Sequence, residues 1–192
     1  MSPPGSSYLV PAQRAPRPVP ASSATTSTST GPSSSLVPDV QVRVAVAAPG
    51  ASPANAKSET VATSRLFRQA FEKRRCLIPT DGFYEWKGAK PPKVPHYIRV
   101  LGDGPLFFGG IREGDTAAIL TTTPNEMMAD IHNRMPVIID PADAERWLDP
   151  ETKDVADLLK PFSADRMEAF AVSTKVNSAR NQGTDLIEPV TG

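Results

Sequence analysis

Three short segments in the last two thirds of the chain carry an amide, a carboxylate and an imidazole. They are Asn55-Ala56-Lys57-Ser58-Glu59-Thr60, Gly82-Phe83-Tyr84-Glu85-Trp86 and Ile131-His132-Asn133-Arg134-Met135-Pro136. A carboxylic acid and an imidazole make an acid–base set that works near neutral pH once apolar surroundings raise the acid's pKa. Glu85 fits that requirement. It lies between two aromatics in a strand-like run, and period-two alternation gives it the same face as Phe83. The competing reading of Glu85 is a buried ion pair with Arg74 or Arg75. His132 stands where a short helix gives way to a proline-bounded strand, and a histidine of that kind taken alone is more often structural than catalytic. Asn55 could orient a substrate or an amine.

The set has no obvious nucleophile. The one cysteine, Cys76, is followed by Leu77-Ile78-Pro79, and apolar burial raises a thiol's pKa and makes it inert. A cysteine-peptidase reading would have to pair Cys76 with His132. Two histidines and one cysteine, with neither CxxC nor HExxH spacing, give no expectation of a metal. No glycine-rich phosphate loop or GxSxG elbow is present, and no cofactor is expected.

These residues need elements to hold them. Thr63 or Ser64 is expected to cap a helix running to about Arg74, with Leu66, Phe67, Ala70 and Phe71 along one stripe. Residues 76–79 read as a short buried strand, Thr80-Asp81-Gly82 as a turn and residues 83–86 as a strand. Residues 87–95, with three prolines, read as a loop. Three further strands are expected at 97–100, 106–111 and 117–122. Thr123-Pro124 predicts the start of a helix carrying Met127 and Met128 and ending near His132. Residues 136–139 are extended. Asp140-Pro141 repeats the cap-plus-proline signal before a helix through Trp147 and Leu148. A last helix over about 153–159 and a strand at 169–173 complete the pattern. Strands dominate without βαβ alternation, which predicts an α+β fold with a largely antiparallel, barrel-like β-sheet core and short peripheral helices.

Residues 1–54 differ from the rest. Residues 1–53 hold ten of the 21 prolines and fifteen Ser or Thr, with Tyr8 the one aromatic and Asp39 the one acid. Such a segment has too little apolar surface to offset its ordering entropy and is expected to be disordered, leaving residues 55–192 as the globular domain. No run approaches the roughly 18–20 apolar residues that span a bilayer, and no signal peptide is apparent. A single cysteine suits a reducing compartment, so a cytoplasmic protein is expected; a monomer is expected as well. Formal net charge is zero, yet residues 57–75 hold Lys57, Arg65, Arg68, Lys73, Arg74 and Arg75 against Glu59 and Glu72, a local balance of +4. That strip is either a phosphate-binding surface or a solvated helix face.

Taken together, the segments NAKSET, FRQAFEKRRCLIPTDGFYEW, LTTTPN…IHNRMPVII and VNSARNQGTDLIEPV resemble the SOS response-associated peptidase (SRAP) family, the abasic-site processing proteins. The resemblance covers roughly residues 55–192. It implies a SRAP fold and a part in the DNA-damage (SOS) response. It also implies a bacterial, nucleoid-associated setting and a partner that is single-stranded DNA containing abasic sites. Family members begin Met-Cys-Gly-Arg. The amine of the exposed cysteine attacks the open-chain aldehyde of an abasic site, and its thiol closes a thiazolidine, giving a covalent protein–DNA linkage. Carried over by position, Asn55 orients the amine, Glu85 handles the sugar oxygen and His132 shuttles protons. Lys57 takes the place of a phosphate-binding arginine, which keeps the charge and loses the bidentate geometry. Arg68 and Arg65 extend the channel for the strand.

The amino end departs from the family. Ser2-Pro3-Pro4 stands where Cys-Gly-Arg would, and the tryptophan-containing segment ahead of NAKSET is missing. A frameshift or misassigned start would account for residues 1–54. With Ser2 supplying only an amine, a reversible Schiff base or lyase-type strand nicking is expected in place of a stable crosslink. The alternatives are a non-catalytic single-stranded DNA-binding module and, ranked below it, the peptidase (a hydrolase) that the family's name suggests.

Overall fold

The computed structural model describes residues 55–102, 106–114 and 116–190. The low-complexity segment 1–54, Ser2 included, lies outside the described residues. In chain order the elements are β1 (Asn55–Lys57), α1 (Ser58–Val61), α2 (Arg68–Lys73), β2 (Arg75–Thr80), β3 (Phe83–Lys87), β4 (Val94–Val100), β5 (Leu106–Glu113), β6 (Thr116–Thr122) and α3 (Glu126–Ala129). They continue with β7 (Met135–Pro136), β8 (Ile138–Ile139), α4 (Ala144–Leu148) and β9 (Met167–Ala171), with short 3-10 turns around and after α4. No described helix is long and apolar enough to cross a membrane.

The strands form two sheets. The first runs β1-β6-β5-β2 with β7 and β8 attached, and the second runs β3-β4-β9. Every pair is antiparallel except β1 with β6. The α+β, largely antiparallel character matches the expectation, and among the described residues the two sheets pack as open layers without closing.

Strands β5 and β6 pair over residues 110–113 and 116–119 and then part. Residues 135–139 fill the gap. Ile138 and Ile139 pair with β5, while Met135 and Pro136 pair with β6. Val137 bonds to both sides: its N–H donates to the Leu120 carbonyl at 2.8 Å, and its own carbonyl accepts from Gly109 N–H at 2.9 Å.

The central strands β5 and β6 are buried on both faces, which is why their sequences read as near-continuous apolar runs. On one face Ala118, Leu120, Ile111, Val137 and Ile139 pack with Val61, Phe71 and Trp147 from the helices. On the other, Ile78, Phe108, Ile119 and Ile138 meet Phe83 and Ile98 of the second sheet and Met128 of α3. The second sheet's outer face holds Tyr84 and Tyr97, covered by Val172 and Val176. Gly82 permits the start of β3, because a Cβ there would meet the Ile98 carbonyl and the Tyr97 ring at 2.5 Å.

Several boundaries differ from expectation. The helix expected from Thr63 begins at Arg68. Ser64 Oγ accepts from Leu66 N at 3.3 Å, a local turn that competes with the helix, and Leu66 leaves the apolar stripe at 61% exposure. A separate turn of helix, α1, precedes it. The cap of α3 is Asn125, not Thr123: its Oδ1 accepts from Met128 N at 2.8 Å, and its Nδ2 donates to the Phe162 carbonyl at 2.8 Å. Strand β4 starts earlier than expected and takes in Pro95. The helix expected over 153–159 is a 3-10 turn, Ala156–Leu159. Asp140 caps as expected, accepting from Ala142 N at 3.1 Å ahead of Pro141.

Candidate active site

Glu85 sits in β3 on the inter-sheet face, two residues after Phe83, as period two requires. It is 4% exposed. Its Oε1 has no hydrogen-bond partner among the described residues, and His132 Nδ1 lies 3.7 Å away. Burial pushes the Glu85 carboxyl up to about 7; a backbone hydrogen bond at Trp86 and the nearby Lys93 cation oppose that rise. The ion pair with Arg74 or Arg75 is not formed. Arg74 instead pairs with Glu113, and Arg75 is bound to carbonyls around α4. A group half-protonated near pH 7 with an imidazole beside it is suited to giving and taking a proton.

His132 is placed by the end of α3, where its N–H donates to the Met128 carbonyl at 2.8 Å. Its Nδ1 lies 3.1 Å from the Arg134 carbonyl and 3.2 Å from the Arg134 N–H. The ring is therefore held by its own loop and faces the second sheet. The site is assembled across the sheet–sheet boundary, with the carboxyl from one layer and the imidazole from the other.

Asn55 opens β1 opposite Ile119 of β6 and is half-buried. The NAKSET and IHNRMP segments are tied by charge. Arg134 Nη1 and Nη2 donate to Glu59 Oε1 and Oε2 at 2.5 and 2.9 Å, and Nη2 also donates to the Thr121 carbonyl at 2.6 Å. The hydrogen bond from Arg134 holds the Glu59 carboxyl below the usual carboxylate range. This clasp joins α1, β6 and the His132 loop. Sequence reasoning missed it, although one charge of each sign stood in the two motifs it connects. Lys57, Arg65 and Arg68 are exposed, and the contacts that join Glu85 to His132 do not include them.

Cys76 has the opposite environment. It packs against the inter-sheet core, and burial pushes its thiol up to about 11, far from the thiolate a nucleophile needs. Among the described residues no group of three or more His, Cys, Asp or Glu could hold a metal ion.

Fold and site together define an α+β protein with a buried carboxyl and an imidazole brought together at the junction of two sheets. Residues 9–179 match the family described as SOS response associated peptidase (SRAP), and the chain belongs to that family. The match begins within the proline- and serine-rich segment. Among its relatives are the "Abasic site processing protein YoqW" of Bacillus subtilis, 42% identical over 147 residues, covering 70% of this chain and 66% of the relative. The "Abasic site processing protein YedK" of Escherichia coli is 32% identical, with 71% and 67% covered. The "Abasic site processing protein HMCES" of Xenopus tropicalis is 31% identical, with 71% and 50% covered. The chain thus spans about two thirds of its bacterial relatives. A solved protein structure from Bacteroides thetaiotaomicron matches 71% of this chain and 66% of its own with a TM-score of 0.65 at 28% identity.

Proposed function

We propose that this chain processes abasic sites in single-stranded DNA, using Glu85 and His132 for proton transfer at the open-chain aldehyde. The observation that carries the reading is the buried Glu85 carboxyl, pushed up to about 7, with His132 at 3.7 Å. As the sugar ring opens, Glu85 protonates the ring oxygen, and His132 takes the proton of the anomeric hydroxyl. An amine of the protein, oriented by Asn55, then adds to the aldehyde carbon. Loss of water gives a Schiff base. The candidate amine is that of Ser2, and Lys57, Arg65 and Arg68 would follow the phosphates of the strand.

Closing a thiazolidine needs a thiol, and the one thiol in the sequence, Cys76, is desolvated. The Schiff base is therefore reversible, or it passes to β-elimination with loss of the 3′ phosphate. The same environment argues against Cys76 as a peptidase nucleophile.

The test is a denaturing gel of protein mixed with an oligonucleotide carrying one abasic site, with and without borohydride. A shifted band only with borohydride is expected, and Cys76→Ser should leave it unchanged. A heat-stable band without reductant would overturn the reversible reading. No band in either lane, from protein shown to be folded, would overturn the amine chemistry and favour a binding module.

A further inference from the structure

The backbone of Arg134 brackets His132 Nδ1. The nitrogen lies 3.2 Å from the Arg134 N–H and 3.1 Å from the Arg134 carbonyl, with Glu85 Oε1 at 3.7 Å. When Nδ1 keeps its lone pair, the N–H donates to it; when Nδ1 carries a hydrogen, the carbonyl accepts it. One residue therefore serves both states of that nitrogen, and the imidazole can gain or lose a proton there without turning. This works only if the Arg134 backbone stays in place. Residues 132–134 lie in neither helix nor strand, so no ladder of their own fixes them. The Arg134 side chain supplies the anchor. It donates to both Glu59 carboxylate oxygens at 2.5 and 2.9 Å, and to the Thr121 carbonyl and hydroxyl at 2.6 and 3.1 Å. Thr121 is itself held in β6, opposite Lys57 of β1 on one side and Pro136 of β7 on the other. Glu59 stands in α1, directly after β1.

We infer that Glu59 is a positioning residue for His132: by clasping the Arg134 guanidinium it fixes the peptide groups that aim the imidazole at Glu85. The inference rests on the reading of Glu85 and His132 as the proton-transfer pair. Reactive side chains keep a productive geometry when the groups that orient them are locked in turn by hydrogen bonds. The Glu59 side chain is 44% exposed, and an ion pair so open to water contributes little to stability. Its bidentate geometry is better suited to direction than to holding the fold together. A second exposed bidentate pair, Arg146 with Asp157, lies between α4 and the 3-10 turn after it and has no link to the His132 loop. It shows what loss of such a pair does on its own.

The experiment records the imidazole 15N signals of the full chain by NMR, without DNA. The sequence holds two histidines, and His132→Gln assigns which signals are whose. Wild type is compared with Glu59→Ala, with Glu59→Gln as a milder change that keeps one acceptor, and with Asp157→Ala as the control. In folded Glu59→Ala the His132 nitrogens should move toward the values of a freely exposed imidazole, those of His96 should stay, and Asp157→Ala should move neither. His132 signals unchanged in a folded Glu59→Ala or Glu59→Gln protein would overturn the inference, and so would an equal movement in Asp157→Ala. The second reading is the rate of the borohydride-trapped band at saturating oligonucleotide. Removing a negative charge should not weaken binding of the strand, so a fall of about tenfold or more in folded Glu59→Ala reports misplacement of the imidazole. A rate within about twofold of an active wild type would overturn the inference. A wild type that traps nothing refutes the abasic-site chemistry instead, and the ring signals then decide the role of Glu59 alone.

Discussion

Arg75 and Glu85 are both nearly sealed from solvent, at 7% and 4% exposure, and their surroundings are opposite. Arg75 spends its guanidinium on four carbonyls. Nε donates to Trp147 at 2.6 Å, Nη1 to Phe71 at 3.1 Å, and Nη2 to Asp149 and Thr152 at 2.5 and 2.9 Å. The Phe71 and Trp147 rings flank it, with centroids 5.8 and 5.6 Å away. Glu85 keeps an oxygen that no described residue satisfies, and its burial is answered by a raised pKa. A buried charge with all its partners supplied is architecture; one left short of partners retains the capacity to react.

That contrast can be broken most forcefully at Arg75. Arg75→Met fills similar volume but removes the guanidinium from four carbonyls where β2 meets α2 and α4; that of Asp149 keeps a bond from Thr152 N–H. Stability should fall by about 3–5 kcal/mol, read from the denaturant midpoint. A loss under about 1 kcal/mol would mean that the carbonyl cage contributes little.

At Glu85 stability should move the other way. The folded carboxyl keeps its proton to about 7, whereas the ordinary value is 4.5. The stability associated with that proton is full below about 4.5 and is lost as pH rises through about 7. Glu85→Gln has no proton to lose. The variant should therefore match wild type near pH 4 and exceed it near pH 8.5 by up to about 3 kcal/mol. Its borohydride-trapped yield should drop by about a hundredfold. Parallel stability curves for the two proteins across that range would refute the assignment of the raised carboxyl.

The smallest effect belongs to the exposed cations. Lys57→Ala and Arg68→Ala should each lower the slope of log affinity against log salt by about 0.7 for a single strand. A slope unchanged in both would leave the basic strip a solvated helix face.

How much of this was legible in the sequence follows from what fixes each part locally. The runs that became β2, β3, β5 and β6 are apolar and bounded by turn residues, and the face of Glu85 followed from alternation alone. The cap at Asp140 was readable because its acceptor and the following proline act within three residues. Strand β1 was not, since three residues, Asn55-Ala56-Lys57, carry no alternation and owe their conformation to β6. The helix expected from Thr63 failed at Ser64, where a side-chain turn outcompeted propensity. In the site, Glu85 and His132 were singled out, but their distance depends on how the two sheets pack, which no spacing encodes. Arg75 was misjudged because its partners are backbone carbonyls up to 77 positions away, and backbone acceptors leave no mark on a sequence.

The insertion of residues 135–139 between β5 and β6 bears on how the chain is made. During synthesis β5 and β6 emerge as a hairpin whose open end has no partner until Ile139 has left the ribosome. Those unpaired edges are apolar and suited to joining other chains. His132 lies just ahead of the inserted stretch, so the imidazole is made immediately before the piece that completes the first sheet. A nascent chain stopped before His132 therefore lacks both the imidazole and the segment that fills the gap between β5 and β6.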